Sequence, residues 1–483
     1  MSSTVARGAA AQPLVLQPGL VVNDIHSQLN PTHVAAIAVP ATIGELSKVV
    51  TEARESGRPI AIAGGRHSMG GQQFGHGCTL VDTRELNRVI SFDRDRGLID
   101  VEGGIQWPAL VEYLSFVQPG HETDWGIVQK QTGADRLTLG GALSCNAHGR
   151  GLALKPIVDQ VESFELMDAT GCVRCCSRTE RADLFRLAIG GYGLFGVMTR
   201  VGLRLGRKQK VRRVVEVIDT TGLADRFEER IRAGFLYGDF QFAIDATADD
   251  FLRRGVFACY EPVPFDTPLT EAPASLRPEQ WQRLVLDAHV NKPRAFEEYS
   301  RHYLGTSGQI YWADAQLGSP YVDDYHSAID LACGATVPGS EMITEVYVPR
   351  HRLTDFLESA RRELADRRAN VIYGTVRLIE RDDETFLTWA RDRFACIVFN
   401  LHVDHTPGAI AATAETFRAL IDLAVGHGGS YYLTYHRWAR KDQVEACYPQ
   451  MRRFLEMKRR HDPEELFQSE WYRHYRAMFQ ESA

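Results

Sequence analysis

The chain has 483 residues, of which 44% are hydrophobic, 24% charged and 10% aromatic. These values are typical of a globular protein with two or three domains, and they exclude a disordered chain. The formal net charge of −7 argues against nucleic acid or an anionic membrane surface as the main partner, so we expect a small-molecule substrate.

Cysteine usage and the start of the chain indicate the compartment. The nine cysteines are scattered and odd in number, which does not fit a secreted disulfide framework. Residues 1–30 are predicted to form an N-terminal tail that lacks the composition of a signal peptide, and no window is apolar enough for a membrane span. We therefore expect a cytoplasmic protein.

The first predicted elements alternate between helix and strand. Residues 43–53 place apolar side chains on one helical face, Thr42 and Glu45 stand at capping-box spacing, and Gly57 fits the end of this helix. Short apolar runs then predict strands at 59–63, 79–82 and 98–102. Residues 161–177 predict a hairpin that turns at 168–171.

The composition changes after residue 205. Residues 261–278 contain five prolines, and residues 299–325 are dense in aromatic side chains that fit either a pocket for a ring or ordinary packing: Tyr299, Tyr303, Tyr311, Trp312, Tyr321 and Tyr325. Further on, "MITEVYVP", "NVIYGTVRLI" and "ACIVFNLHV" predict strands, with a helix between the first two. The segment "SYYLTYH" also predicts a strand, in which Tyr435 and His436 point to opposite faces.

Three motifs are set aside. "GYGLFG", residues 191–196, has the glycine spacing of a dinucleotide fingerprint, but a helix precedes it and a strand follows, the reverse of what that site needs. "CVRCC" lacks a second pair of zinc ligands, which favours free thiols. "LHVDH" places His402 and Asp404 on one strand face, where we favour a hydrogen-bonded pair over metal ligation. We predict no metal.

Two glycine-rich segments point to a cofactor. The first is "RPIAIAGGRHSMGGQQFG", residues 58–75, and the second is "TGADRLTLGGALSCNAHGRG", residues 132–151. Glycines let backbone N–H groups approach a pyrophosphate closely, and each segment also carries a histidine. Together they predict a large flat cofactor with phosphates.

The motifs "PIAIAGGRHSMGG", "LTLGGALSCNAHGRG", "AIGGYGLFGVM" and "RRHDPEELFQSEW" resemble the FAD-binding flavoproteins of the vanillyl alcohol oxidase and p-cresol methylhydroxylase (PCMH) superfamily. The resemblance is to its sugar and polyol oxidase branch, with alditol oxidase, aldonolactone oxidase and decaprenylphosphoryl-ribose oxidase. It implies an α+β fold of two domains: a PCMH-type FAD-binding domain over residues 31–208 and a substrate domain, or cap, over 209–428. The cap is expected to be an antiparallel sheet with helices, and residues 429–483 return to the FAD domain.

The resemblance also implies which residues hold FAD. In many members a histidine at the place of His67 is bonded to a methyl group of the flavin ring, and we expect this bond here, although relatives without it only pack that position on the flavin. Doubly bonded members have a cysteine where this chain has Ala134, so one bond at most is implied. The expected cofactor residues are Gly64, Gly65, Arg66, His67, Ser68, Met69, Gly133, Thr138, Gly140, Gly141, Cys145, His148, Val197 and Tyr432.

The substrate site departs from these relatives at two positions. Tyr435 stands where the sugar and polyol oxidases have a lysine, and Thr375 replaces the glutamate of a Glu-x-Arg pair. Oxidation of an alcohol by hydride transfer needs a group that takes the hydroxyl proton, and either Tyr435 or His436 suits this role. The candidate catalytic residues are Tyr435, His436, Arg437, Arg377, His148 and Arg150.

The predicted function is that of an FAD-dependent oxidoreductase. It acts on a CH–OH group of a sugar, polyol or lactone-like substrate by hydride transfer to flavin, and dioxygen or another acceptor reoxidises the flavin. Two alternatives stay open. Tyr435 in the lysine position suggests an oxidase of phenolic or other aromatic molecules, and both departures are compatible with a flavin-binding module that has lost turnover.

Overall fold

A computed structural model describes residues 17–118, 120–318 and 325–480. Within these ranges helices are combined with mostly antiparallel sheets, which confirms the predicted α+β class. The first sixteen residues of the predicted tail, and Tyr321 of the aromatic segment, lie outside the described residues. None of the helices in the described ranges combines the length and apolar character that crossing a lipid bilayer requires.

The first sheet has the strand order β1-β2-β4-β3. Its strands are β1 (Gln17–Val22), β2 (Thr32–Ala38), β3 (Ile60–Ala63) and β4 (Thr79–Asp82). Helix α1 (Ile43–Glu55) connects β2 to β3, and its N-terminus is capped as predicted, since the Thr42 side chain accepts a hydrogen bond from the Glu45 N–H at 3.2 Å. Because β1 pairs with β2, residues 17–22 belong to the sheet rather than to a tail.

The second sheet has the order β5-β6-β10-β8-β9. Its strands are β5 (Val89–Asp93), β6 (Leu98–Glu102), β8 (Val161–Met167), β9 (Val173–Ser177) and β10 (Val197–Arg204), while β7 (Trp125–Gly126) pairs with β11 (Gly206–Arg207). Its helices are α2 (Trp107–Val117), α3 (Leu139–Ser144) and α4 (Ala182–Ala188). Helix α4 precedes residues 191–196 and strand β10 follows them, which confirms that this segment is not a dinucleotide fingerprint.

The middle of the chain forms one sheet of eight strands in the order β15-β12-β14-β13-β17-β18-β16-β19. The strands are β12 (Lys210–Asp219), β13 (Tyr237–Phe242), β14 (Arg254–Val263), β15 (Ile310–Trp312), β16 (Gly339–Pro349), β17 (Val371–Ile379), β18 (Phe394–Asp404) and β19 (Ser430–Tyr431). Its helices are α5 (Leu223–Arg232), α6 (Pro278–Val290), α7 (Lys292–Gly305), α8 (Ala313–Gln316), α9 (Tyr325–Cys333), α10 (Leu353–Asp366) and α11 (Pro407–Gly426). Within the described residues every strand pair of this sheet is antiparallel.

The last segment returns to the first sheet. It contains α12 (Lys441–Cys447), α13 (Met451–His461) and α14 (Glu470–Phe479). Between α13 and α14, the Ile60 N–H of β3 donates to the Leu466 carbonyl at 2.7 Å, and the Gln468 N–H donates to the Ile60 carbonyl at 2.8 Å. The end of the chain thus extends the sheet that carries the first glycine-rich loop.

The predicted strand "SYYLTYH" is wrong beyond its first residues. Only Ser430 and Tyr431 pair with β16, and the chain then turns away from the sheet. The physical reason is a competing set of hydrogen bonds, because the Thr434 carbonyl accepts from the N–H groups of Met69 and Gly70 in the first glycine-rich loop, at 3.2 and 3.0 Å. Tyr435 and His436 are therefore not on opposite faces of a regular strand.

Candidate active site

A cleft of about 750 Å³, including its open mouth, lies between the two glycine-rich loops and the segment that leads into β10. Ten of the expected cofactor residues line it: Gly64, Gly65, Arg66, His67, Ser68, Thr138, Gly140, Gly141, Cys145 and Val197. Met69, Gly133, His148 and Tyr432 are not part of this lining.

Glycine is required where the two loops meet. A Cβ atom on Gly64 would lie 2.1 Å from the Thr138 side-chain oxygen, and a Cβ on Gly65 would lie 2.2 Å from the Arg136 carbonyl oxygen. Both distances are far below a van der Waals contact, so any side chain would push the loops apart. Gly193, which also lines the cleft, has φ +75°, a backbone conformation that favours glycine over residues with a side chain.

His67 stands in the cleft wall and contacts a second histidine that the sequence did not single out. Its Nδ1 lies 3.0 Å from Nε2 of His26, in the loop after β1. Burial, followed by the proximity of His26, lowers the pKa of His67 to about 3, and burial lowers the pKa of His26 to about 4. Both rings are therefore neutral at pH 7, with one N–H and one lone pair meeting between them.

Tyr432 connects the cleft to the eight-stranded sheet. Its hydroxyl donates to the Cys145 carbonyl at 2.7 Å, and its backbone N–H donates to the Glu345 carbonyl at 3.1 Å. Cys145 is part of the cleft wall. Tyr432 thus connects the wall of the cofactor cleft, at Cys145, to strand β16, at Glu345.

Glu345 is the centre of a buried polar network on β16. Its Oε1 lies 2.7 Å from Nε2 of His148, and its Oε2 accepts a hydrogen bond from the Tyr435 hydroxyl at 3.3 Å. Nδ1 of His148 lies 3.2 Å from the Gly149 carbonyl, which can only accept. Burial, then the charge of Glu345, raises the pKa of Tyr435 well above its usual value, so its phenol stays protonated.

Glu345 shares its sheet face with a row of polar groups. Glu345 and Thr375 both pair with Val398, on either side of β18, and Arg377 lies two residues further along β17 on the same face. Within the described residues the Thr375 hydroxyl, Nε of Arg377, one carboxylate oxygen of Asp239 and the Tyr260 hydroxyl are buried without a hydrogen-bond partner. Such groups are costly unless a ligand or water satisfies them.

The remaining predicted catalytic residues lie around this face or away from it. The guanidinium of Arg150 is 3.6 Å from the Asp239 carboxylate and lies over the Tyr260 ring, at the end of the same polar row. His436 instead stacks on Trp438, with 4.2 Å between ring centroids, and Arg437 packs over Gly71 and contacts Asn30 at 3.4 Å. The structure therefore brings Tyr435, Arg377, His148 and Arg150 to the polar groups of one sheet face and separates His436 and Arg437 from them.

Part of the aromatic segment lies over the same face of the sheet. Tyr299 and Tyr303 on α7 have ring centroids 4.4 Å apart, and the Tyr299 hydroxyl donates to Gln241 of β13. Gln241 lies two residues from Asp239 on one strand face. Helix α7 therefore covers this part of the row of polar groups.

The cleft fits the FAD that the sequence implied. The glycines permit close backbone approach, and a neutral imidazole borders the cavity. The cleft wall is largely apolar near Ile62, Val197 and Met198, as the flat ring system of a flavin requires, with polar groups elsewhere along it. When bound, FAD supplies a hydride acceptor.

Comparison with known proteins agrees with this reading. A family model for the FAD binding domain matches residues 34–177, and a model for D-arabinono-1,4-lactone oxidase matches residues 271–475. The chain belongs to the vanillyl alcohol oxidase and p-cresol methylhydroxylase superfamily of flavoproteins. The predicted superfamily and the predicted FAD cofactor are confirmed.

Relatives of this flavoprotein include sugar-lactone enzymes. The chain is 22% identical to the L-gulono-1,4-lactone dehydrogenase of Mycobacterium tuberculosis over 91% of its own length and 95% of the relative. It is 28% identical to the L-gulonolactone oxidase of Mus musculus over 34% of its own length and 36% of that protein. It is 31% identical to the decaprenylphosphoryl-beta-D-ribose oxidase of Mycolicibacterium smegmatis over 32% of its length and 33% of that protein. The alignments with the latter two proteins thus span about a third of each.

Proposed function

We propose that this flavoprotein oxidises a CH–OH group of a sugar, polyol or aldonolactone by hydride transfer to FAD. The observation that carries the proposal is the row of buried, unsatisfied polar groups on the sheet face next to Glu345. The match to the D-arabinono-1,4-lactone oxidase model covers most of the strands that build this face, and so supports the same substrate class.

The polarity of the pocket favours a sugar-like substrate over a phenol. The row offers donors from Arg377, a carboxylate acceptor from Asp239, and hydroxyls from Thr375 and Tyr260 that serve as either. A substrate with several hydroxyls satisfies such a mixed set, whereas an aromatic ring with one hydroxyl leaves most of it unpaired. Oxidation of a phenolic compound is therefore the weaker alternative.

Glu345 is the proposed final acceptor of the substrate's hydroxyl proton. Tyr435 remains a phenol and already points its hydrogen at Glu345, so it accepts a proton on its oxygen only as it passes its own hydrogen on. His148 holds the other carboxylate oxygen at 2.7 Å and fixes its orientation. Arg377 lies close enough to Tyr435 for its positive charge to oppose the rise in the pKa of Tyr435. In this scheme Arg377 orients the substrate oxygen.

His67 is the proposed attachment point for the flavin. Its depressed pKa leaves a lone pair on the neutral ring at physiological pH, which a nitrogen nucleophile needs. His26, at 3.0 Å, is placed to exchange a proton with the imidazole when the bond forms. Yellow colour that stays with a His67 peptide after denaturation and digestion supports this bond, and a colourless peptide would exclude it.

The electron acceptor and the location complete the proposal. Dioxygen or another acceptor takes the electrons from the flavin, and parallel assays of oxygen consumption and dye reduction distinguish an oxidase from a dehydrogenase. A cytoplasmic location is supported by the cysteines, all nine of which are free thiols.

The main experiment is anaerobic mixing of the purified flavoprotein with a panel of aldonolactones, sugars, polyols and phenols. We expect the flavin absorbance to bleach with members of the first three groups. Bleaching by phenols alone would support the aromatic alternative. No bleaching with any compound, from protein that carries its flavin, would support a binding module without turnover.

A further inference from the structure

A second buried cluster lies on the same face of β16, four residues before Glu345. Its centre is Glu341, which is contacted by histidines from three other elements: His289 of α6, His326 of α9 and His402 of β18. The side chains of Glu341, His289 and His326 are 5% exposed or less, and that of His402 is 17% exposed. Four residues of strand span about 13 Å, so this cluster is separate from the proposed proton acceptor.

A neutral imidazole ring does not explain the contact that Nε2 of His289 makes with Glu341. Its Nδ1 lies 2.8 Å from the Val285 carbonyl, which can only accept, so Nδ1 carries the hydrogen. In the neutral ring Nε2 then presents a lone pair, yet it faces Oε1 of Glu341 at 3.0 Å. Two acceptors at this distance repel unless a proton or a metal ion lies between them.

His402 makes the same arrangement from the neighbouring strand. Its Nδ1 lies 3.5 Å from Oε1 of Glu341, and its Nε2 lies 3.5 Å from Asp404. A single metal ion satisfies both nitrogens and the carboxylate at once.

The spacing of the three donor atoms fits such an ion. Each of His289, Glu341 and His402 offers one ligand atom, and these three atoms lie within 4.8 Å of one another. Zinc binds histidine nitrogen and carboxylate oxygen at about 2.0–2.2 Å, so two ligands at tetrahedral or square angles lie about 3–3.5 Å apart. The observed distances from Glu341 to the two histidines are 3.0 and 3.5 Å.

The surroundings resemble the outer shell of a metal site. The second oxygen of Glu341 is held by Nδ1 of His326 at 2.8 Å and by the Tyr325 hydroxyl. The Val285 carbonyl accepts from Nδ1 of His289, and the Asp404 carboxylate lies 3.5 Å from Nε2 of His402. Such partners fix the tautomer and direction of metal ligands.

We propose that His289, Glu341 and His402 bind one divalent transition-metal ion, with zinc as the best match, and that the ion clamps helix α6 onto strands β16 and β18. Two histidines and a carboxylate are a common ligand set for zinc and for other first-row metals. The sequence alone led us to predict no metal, because His289 and Glu341 lie 113 and 61 residues from His402 in the chain. The proposed role is structural and is independent of the substrate.

The test measures metal content in the FAD-loaded protein after removal of any affinity tag. Elemental analysis before and after treatment with a chelator, and again after dialysis against zinc chloride, is expected to give one ion per FAD, then loss, then recovery. The His289→Gln, Glu341→Gln and His402→Gln variants are expected to lose the ion. His351→Gln, at an exposed histidine, is the matched control and should retain it.

A thermal melt provides a second readout. The wild type is expected to melt at a lower temperature after chelation and to recover with zinc, whereas a correctly folded Glu341→Gln variant should not respond to either treatment. If a variant fails to bind FAD, the chelation and zinc steps on the wild type still decide the question. Substoichiometric metal after dialysis against zinc, iron(II), manganese or nickel would overturn the proposal and leave a hydrogen-bonded imidazolium cluster. The same metal content in wild type and in folded ligand variants would also overturn it.

Discussion

Replacement of Glu345 by glutamine tests the proposed proton path most directly. The side chain is 3% exposed and glutamine keeps its shape, so packing around β16 is preserved. The amide oxygen can still accept from Tyr435, and the amide nitrogen can donate to Nε2 of His148 in its neutral form. The variant therefore removes proton acceptance while leaving most contacts in place.

The expected magnitudes follow from these contacts. Loss of a positioned general base lowers kcat by about 10²- to 10⁴-fold, and we expect a value within that range because substrate binding relies on other groups. The 2.7 Å contact with His148 loses its charge, and a neutral hydrogen bond in place of a charge-assisted one lowers the free energy of unfolding by about 1 kcal/mol. KM should change little.

Stopped-flow reduction of the flavin under anaerobic conditions measures the step concerned. Glu464→Gln is the matched control, since Glu464 is 66% exposed and its ion pair among the described residues is with Arg54. Tyr435→Phe should also slow reduction, and the double variant should be no slower than Glu345→Gln alone if the two residues act in one relay. Normal reduction rates in a folded, flavin-loaded Glu345→Gln variant would refute the relay.

Further predictions concern single residues. Thr375→Val should lower kcat/KM about tenfold without loss of thermal stability, because its hydroxyl has no partner to lose among the described residues. Arg377→Met should raise KM by about ten- to a hundredfold, measured by steady-state kinetics with Arg377→Lys for comparison. His67→Ala should release all flavin on denaturation. Burial lowers the pKa of His436 from 6.5 to about 4, so its unfolded form binds protons first and stability falls as pH drops from 6.5 towards 4. His436→Gln should flatten that part of the denaturation profile, by at most about 3 kcal/mol.

Local elements were predictable because their signals are local. The cap at Thr42, the strands at 60–63 and 79–82, and the order of helix and strand around residues 191–196 depend on neighbouring residues only. The segment after Tyr431 was not, since its conformation is set by hydrogen bonds to the first glycine-rich loop, more than 360 residues earlier. No periodicity within the segment reports such a contact.

The acidic residues of the site were missed for a related reason. Glu341 and Glu345 occur in a strand that its apolar residues identify. A carboxylate in such a strand is rarely buried unless it is paired, so each glutamate indicated a buried polar site. Their partners, His148, His289 and His402, are supplied by a loop, a helix and another strand, so only the register of the sheet brings them together. His26 was missed because residues 1–30 were assigned to a tail.

The placement of both glutamates on one strand constrains how the site responds to change. Glu345 and Glu341 are an even number of residues apart and lie on one face of β16. Any shift of β16 by one residue would therefore turn both side chains to the opposite face of the sheet at once. Eleven paired positions with β18 oppose such a shift. The proposed metal clamp adds a second constraint, since it fixes β16 and β18 to α6 at the end of the strands where β17 has already ended its pairing with β18 at Leu401. Chelation should therefore lower the rate of flavin reduction far less than Glu345→Gln does, because the paired strands alone keep Glu345 in place, whereas an equally large loss would mean that the clamp positions the proton acceptor.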